Sequence, residues 1–529
     1  MRHRTFPHNH HHEISLVGLD GFQKYVLSHI GLESNELMCS TVSQLLSQAQ
    51  SAAAKFQQDS EARHIDEAIV LDREALELCT AGHPLRSDCL FQLATHLSAR
   101  YELLGGVETL SEGIMLSRDA LTLCPPGHPD RSMALNNLSI RLGTQYNLLG
   151  GVDDLNEAII LSRDALSLRP PGHPLRSLPL NNLAIHLATR YNLLGGVDDL
   201  NEAILLSRDA LTLFLPGHPD RSTTLNTLAG HLGTRYKLLG GVDDLNEAIL
   251  LDRDALTLRP PGHPDRSMSL SNLASHLTTR YKLLGGVDDL NEAILLDRDA
   301  LTLRPQGHPL RSMSLNNLAS HLNTRYNLLG GVDDLNEAIL LSRDALILCP
   351  PGHPDRWSPL INLASHLTTR CKLLGGVDDL NEAILLDRDA LALHPPGHPD
   401  RSMSLNNLAS HLATWYDLLG GVDNLNEAIL LDKDALSLRP LGHPDRSMSL
   451  NNLASHLGTR HELLRGVDDL NEAILLDRDA LTLRPPGHPD RSLSLNSLAN
   501  GLGTRYKLVG GLPLSVFRIP CLLLFHSAT

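Results

Sequence analysis

Residues 265–309 read DRSMSLSNLASHLTTRYKLLGGVDDLNEAILLDRDALTLRPQGHP, and these 45 residues recur along the chain with few changes. Each copy closes on Gly-His-Pro, with the histidine at His83, His128, His173, His218, His263, His308, His353, His398, His443 and His488, every neighbouring pair 45 residues apart. A fixed period of this length marks an array of one supersecondary unit. Leu270, Leu273, Ala274, Leu277, Tyr281 and Leu284 form an apolar stripe of helical period. Gly285-Gly286 stops that helix, because glycine takes left-handed backbone angles without steric cost. A second stripe (Leu290, Ala293, Ile294, Ala300, Leu301, Leu303) follows Asp288 and Asp289, expected as cap and first-turn acids. Pro305 ends the second helix and Pro309 suits the first turn of the next. Sustained period-2 alternation is absent.

One hairpin cannot bury both stripes, so neighbouring units must stack on one another. The expected fold is all-α, a right-handed α-solenoid of about ten 45-residue helix-turn-helix units. Back-shifting the pattern by one period aligns Leu45, Ala49, Phe56, Ile65 and Ala68 with Leu90, Ala94, Tyr101, Leu110 and Gly113, which predicts a degenerate first helix over 41–58. The array is assigned to 37–510, with 1–36 a loosely ordered, histidine-containing leader. After a first-type helix at about 489–509 the register collapses at Leu512-Pro513, and 511–529 is a non-repeat apolar tail. That end is expected to reflect a truncated or alternatively spliced product.

Length and composition narrow the function. A chain of 529 residues exceeds one ordinary core, and with 3% aromatics its core must be aliphatic. A formal charge of −16 argues against a nucleic-acid wrapper or a polybasic membrane-surface protein. Seven widely scattered cysteines without a C-x-x-C disfavour a disulfide framework or a zinc site. The longest apolar candidate for a membrane span, 512–525, is short and contains Arg518 and Pro520. A cytoplasmic protein is expected.

The units resemble tetratricopeptide (TPR) repeats of the long kinesin-light-chain kind, through GHPDRSMSLSNLASHL (Gly262–Leu277) and NEAILLDRDALTLRP (Asn246–Pro260). The verbatim repetition also looks like fungal arrays that flank a caspase-like (CHAT) or nucleotide-binding domain. The resemblance covers about 41–510 and departs from the TPR pattern where Asp252 or Ser207 replaces a bulky apolar residue. It implies an interaction scaffold that takes extended peptide or protein partners along a concave groove lined by the first helix. The alternative is the sensor arm of a signalling protein whose effector domain is absent from this chain.

Within that groove the candidate partner-binding residues are Asn136, Asn137, Asn181, Asn182, Asn226, Asn272, Asn316, Asn317, Asn362, Asn406, Asn407, Asn451, Asn452 and Asn496. A side-chain amide both donates and accepts, which suits a peptide backbone; equally, the amides can bridge helices within the stack. Asn316, Ser320, Asn323, Thr324 and Asn327 share the predicted face in one unit. The Gly-His-Pro histidines are read as turn-forming, since histidines one rung apart cannot share a metal ligated at about 2.0–2.1 Å. A second histidine column (His96, His186, His231, His276, His321, His366, His411, His456) is read as packing, and His8, His10, His11 and His12 as part of the leader. The arginine column Arg86, Arg131, Arg176, Arg221, Arg266, Arg311, Arg356, Arg401, Arg446 and Arg491 is expected to staple units through carboxylates such as the Glu157 column. Nucleophile, P-loop and zinc-protease motifs are missing, so no enzyme activity, cofactor or metal is assigned, and no nucleic-acid or membrane partner.

Overall fold

The computed structural model describes residues 17–508 except 60, 219 and 487, with side chains from Met38 onward. The described residues hold twenty-one α-helices, one 3-10 turn at Pro354–Arg356 and no strand. They alternate as an A helix such as Arg266–Leu284 and a B helix such as Val287–Thr302, the all-α solenoid expected from the period. The chain divides into two compact units, residues 1–100 and 101–529.

In the first unit the opening helix runs Val17–Asp59, well before the predicted start near 41, so helix also occupies 17–36 of the expected leader. Residues 1–16, with the histidine cluster, and 509–529, with the apolar tail, lie outside the described residues. The opening helix packs on Ala62–Leu78. Three of the scattered cysteines gather here. The sulfurs of Cys79 and Cys89 lie 3.5 Å apart, both buried. The ring of His83 meets Cys79 at 3.2 Å and Cys39 at 3.4 Å. Cys79 stands at the position where five later units carry an arginine (Arg169, Arg259, Arg304, Arg439 and Arg484) and two carry a cysteine (Cys124 and Cys349).

From residue 101 onward each unit adds a layer of core between its B helix and the next A helix. Leu245 and Ile249 of one unit pack with Leu273, Ala274 and Leu277 of the next. The A helix ends at Gly285 in the left-handed region (φ 75°), as the Gly-Gly signal predicts. Gly286, not an aspartate, takes the N-cap position of the B helix, while Asp288 and Asp289 lie in its first turn.

The Gly-His-Pro turn works as a capping device. In all ten copies the histidine Nδ1 accepts the backbone N–H two residues on, at 3.0–3.2 Å. The arginine three residues after the histidine does not reach a carboxylate. Arg221 donates to the carbonyls of Leu211 and Phe214 at 3.1 and 3.0 Å, and Arg266 to those of Leu256 and Arg259. The expected carboxylate staple is thereby corrected: this column caps the orphan carbonyls at the C-terminus of the preceding helix, where a cation is favoured.

Carboxylate staples exist, on other arginines. Arg253 pairs with Glu292 of the next B helix at 2.8 Å, and Arg163–Glu202, Arg208–Glu247, Arg298–Glu337, Arg343–Glu382 and Arg388–Glu427 repeat the link. These pairs are half exposed and contribute little apiece. Within a unit, Arg280 grips Asp289 bidentately at 2.7 Å, a motif repeated at Arg190–Asp199, Arg235–Asp244, Arg325–Asp334, Arg370–Asp379 and Arg460–Asp469. A further, fully buried arginine column joins three successive helices. Arg259 donates to Ser222, to Ser269 and to the Asp265 carbonyl at 2.9–3.1 Å, and Arg304, Arg439 and Arg484 do the same in their units.

Between rungs the second histidine column meets the polar position that departs from the TPR pattern. His276 Nδ1 lies 2.7 Å from Asp252, and His96–Asp72, His321–Asp297 and His456–Asp432 match it at 2.5–2.7 Å; His411 and Asp387 make the same contact. In three units a serine meets the histidine instead: Ser162–His186, Ser207–His231 and Ser342–His366, at 3.1–3.2 Å. Burial pushes the imidazoles of these three histidines down to about 4. Above pH 6.5 they are neutral in both folded and unfolded chains. As pH falls from 6.5 towards 4 the unfolded chain binds protons that the fold refuses, and stability is lost across that window. At pH 5 the loss is about 2 kcal/mol per histidine. Burial pushes the Asp252 and Asp297 carboxyls up, which acts in the opposite sense, so the comparison to make is between variants. Thermal melts at pH 7.5 and pH 5 should show the H186N/H231N/H366N chain losing less on acidification than the wild type.

Candidate partner-binding groove

From residue 101 onward, A helices of successive units touch one another, whereas successive B helices stand further apart. The array therefore curves towards its A helices. Their solvent-facing stripe carries Met268, Asn272, Ser275, Thr279 and Lys282 in one unit, at the i, i+4, i+7, i+11 and i+14 spacing of a single helix edge. This is the inner wall on which a partner can lie.

The fourteen predicted asparagines divide into two columns with different fates. The first column turns into the stack: Asn136, Asn226, Asn316, Asn406 and Asn451 are buried, and Asn181 is half-buried. Asn181 donates to Thr224 at 3.0 Å, Asn226 to Ser269 at 3.0 Å and Asn316 to Ser358 at 2.8 Å, each on the next A helix. The Asn406 amide donates to Asp432 and accepts from Arg439 and Ser449. Asn451 donates to Asp477 at 3.1 Å and accepts from Ser494 at 2.9 Å. In the last described helix, on which no further described helix packs, the equivalent Asn496 is exposed. Rung-to-rung bracing is what buries this column, and its amides are not presented to the groove.

The second column (Asn137, Asn182, Asn272, Asn317, Asn362, Asn407, Asn452) is half-exposed on the inner wall. Asn182 is tied to Asn136 at 2.8 Å and Asn362 to Ser320 at 3.2 Å. Asn272, Asn317, Asn407 and Asn452 have no side-chain partner among the described residues. One turn before them runs a column that the sequence reading passed over: Met133, Leu178, Met268, Met313, Met403 and Met448, four of them clearly exposed. Its signal was available, as a long apolar side chain at a position outside the core stripe. The next position is Ser275, Ser365, Ser410 or Ser455, and the wall carries formal charge only at its end, as Lys237, Lys282 and Lys372 against Asp417 and Glu462. A wall whose few charges nearly cancel, within a chain of net charge −16, offers methyl-thioether and amide groups on many of its rungs.

The wall is also partly roofed. Gly150 abuts Gly397 and His398, and Gly195 abuts Gly442 and His443, partners 247 residues later on the chain. The ring of His398 is hydrogen-bonded by the backbone of Asn147. Segment 101–508 thus winds back on itself after about five and a half units, bringing A–B turns of early units against Gly-His-Pro loops of later ones.

No family model matches the chain, and no curated protein matches it. Among solved structures, human IFIT1, solved as a dimer with m7Gppp-AAAA, is 14% identical with a TM-score of 0.50, over 84% of this chain and 86% of that one. A putative kinesin light chain of Podosopora anserina with nearly identical TPR-like repeats is 18% identical with a TM-score of 0.31, over 41% of this chain and 98% of that one. Yeast Tom70 is 16% identical with a TM-score of 0.31, over 86% and 96%. No described helix is long and apolar enough to cross a membrane. The architecture is that of the TPR-type helical-repeat proteins.

Proposed function

We propose that the chain is a cytoplasmic interaction scaffold whose inner wall holds an extended peptide or protein segment. The observation that carries this reading is the recurring pairing of an exposed or half-exposed methionine with a half-exposed, unpartnered asparagine on four A helices, at Met268–Asn272, Met313–Asn317, Met403–Asn407 and Met448–Asn452. Methionine adapts to varied apolar side chains, and the amide meets a backbone donor or acceptor without demanding a sequence. Contacts repeated at every rung add by avidity along an extended ligand. Human IFIT1 shares the fold and is solved with m7Gppp-AAAA, so the fold itself admits a nucleic acid. The wall of this chain carries no run of arginines or lysines to neutralise phosphates, which favours peptide over RNA. Identical groups recurring from rung to rung favour binding over catalysis.

The test is selection from a random-peptide display library, with capped and uncapped RNA oligonucleotides as a second arm. Changing Asn272, Asn317, Asn407 and Asn452 together to alanine should weaken the selected peptide at least tenfold and leave the melting temperature unchanged. Alanine at Asn226, Asn316 and Asn406 should lower the melting temperature. RNA capture without peptide capture, or equal peptide affinity in the inner-wall variant, overturns the reading.

A further inference from the structure

One loop in the array pairs a histidine with a tryptophan where other units pair a residue such as arginine with serine. At the position of the buried arginines Arg259, Arg304, Arg439 and Arg484 the eighth Gly-His-Pro unit carries His394. The serine that receives such an arginine, as Ser222 receives Arg259, is replaced there by Trp357. The two exchanges are coupled in space, with the Trp357 and His394 rings 5.4 Å apart between centroids. Tryptophan takes up the volume that the guanidinium leaves. His394 is 1% exposed. Its Nδ1 is held by the Ser404 hydroxyl at 2.8 Å, while its Nε2 is buried with no partner. An orphaned ring nitrogen at such depth is costly in an apolar setting and calls for a ligand.

The groups beside it supply one. His398 stacks on His394 with centroids 4.1 Å apart. It is the single buried member of the ten Gly-His-Pro histidines, because segment 101–508 folds back over it at Asn147. Asp400 completes the group, and one ligand atom from each of His394, His398 and Asp400 lies within 4.8 Å of the others. The distance argument against a metal concerned histidines in successive rungs; these two sit four residues apart in one loop.

We propose that His394, His398 and Asp400 form a binding site for a divalent transition-metal ion of the zinc or copper class. Two imidazoles beside one carboxylate are a set such ions take, whereas magnesium and calcium prefer oxygen ligands throughout. The Ser404 hydroxyl is the outer partner: with Nδ1–H donating to it, His394 presents Nε2 to the ion as a bare lone pair. Ligation at about 2.0–2.1 Å draws the three atoms to about 3.3 Å apart, which requires the His398 ring to turn out of its stack and release Asn147. The loop of the later unit and the A–B turn of the earlier one are thereby linked to metal occupancy.

Trp357 reports on the site directly. The chain has two tryptophans, so W415F leaves Trp357 alone. The full-length W415F chain, stripped with a chelator, is titrated with Cu2+ while Trp357 emission is followed, and then back-titrated with Zn2+. The expected result is saturable quenching at one equivalent, reversed by Zn2+. Two controls keep residues the array already uses and leave Trp357 in place: H394F copies Phe214, and D400L copies Leu310. Each should retain its helical circular dichroism and weaken the quenching at least tenfold. Copper held only by His8, His10, His11 and His12 would leave Trp357 unquenched, and quenching equal in both controls would be collisional; either result overturns the site.

Discussion

Replacing His321 with alanine should lower the unfolding free energy of the array by about 3–5 kcal/mol at pH 7.5, because it strands the buried Asp297 carboxylate. The geometry behind this is a 2.6 Å contact between two side chains with almost no solvent access, on the B helix of one unit and the A helix of the next. The chain contains its own version of the change. At the last rung Gly501 stands where the histidine would be, and burial pushes the carboxyl of Asp477, which keeps the Asn451 amide but has no imidazole, up to about 6. The H321A chain should therefore recover part of its loss on acidification. A carboxyl raised in the fold binds a proton there before it does in the unfolded chain, so stability rises as pH falls from the folded value towards 3.8. D297S should cost about 1 kcal/mol or less, since Ser342–His366 shows that a hydroxyl satisfies the same ring at 3.1 Å. D297S/H321A removes the buried charge together with its partner, and should be more stable than H321A alone. Chemical denaturation of the four chains closes the double-mutant cycle. A coupling free energy near zero would mean that the pair does not hold the rungs together.

The same pair shows what the sequence reveals. Period, helix assignment and Gly-Gly stops were legible because each rests on spacing within one helix, which the 45-residue ruler makes unmistakable. Both the histidine column and the Asp252/Ser207 departure were also visible, as separate oddities. Their union was not, because it crosses from one unit to the next at a separation of 24 residues. The arginine column failed for a related reason. Its charge pointed to the nearest regular acid column, while the fold offered it unpaired carbonyls at the preceding helix end. For the groove, the stripe arithmetic found the A helix but could not tell which of two adjacent asparagines turns inward. Neighbours differ by about 100° on a helix, and here that angle separates a brace from an open amide.

Nothing in the repeat pattern foretold that segment 101–508 coils back on itself, and one substitution measures that contact. Gly195 and Gly285 are equivalent C-cap positions with φ of 79° and 75°. Alanine at either must adopt the left-handed region, at about 1–2 kcal/mol. Their surroundings differ. A Cβ on Gly285 meets nothing within 4 Å, whereas one on Gly195 runs into the backbone of Gly442 and His443, which cannot swing aside as a side chain would. The neighbours agree: the leucine before the glycine is 43% exposed at Leu194 and 63% exposed at Leu284. G285A should lower the melting temperature modestly and leave the radius of gyration unchanged. G195A must pay the same backbone cost and also break the contact between early and late rungs, so its melting loss should be larger and its radius of gyration should rise in X-ray scattering. The inner wall, no longer roofed, should then admit ligand faster than in G285A, because a peptide can enter from the side instead of threading from an end. Identical scattering curves for the two variants would show that rungs five and a half units apart do not touch in solution.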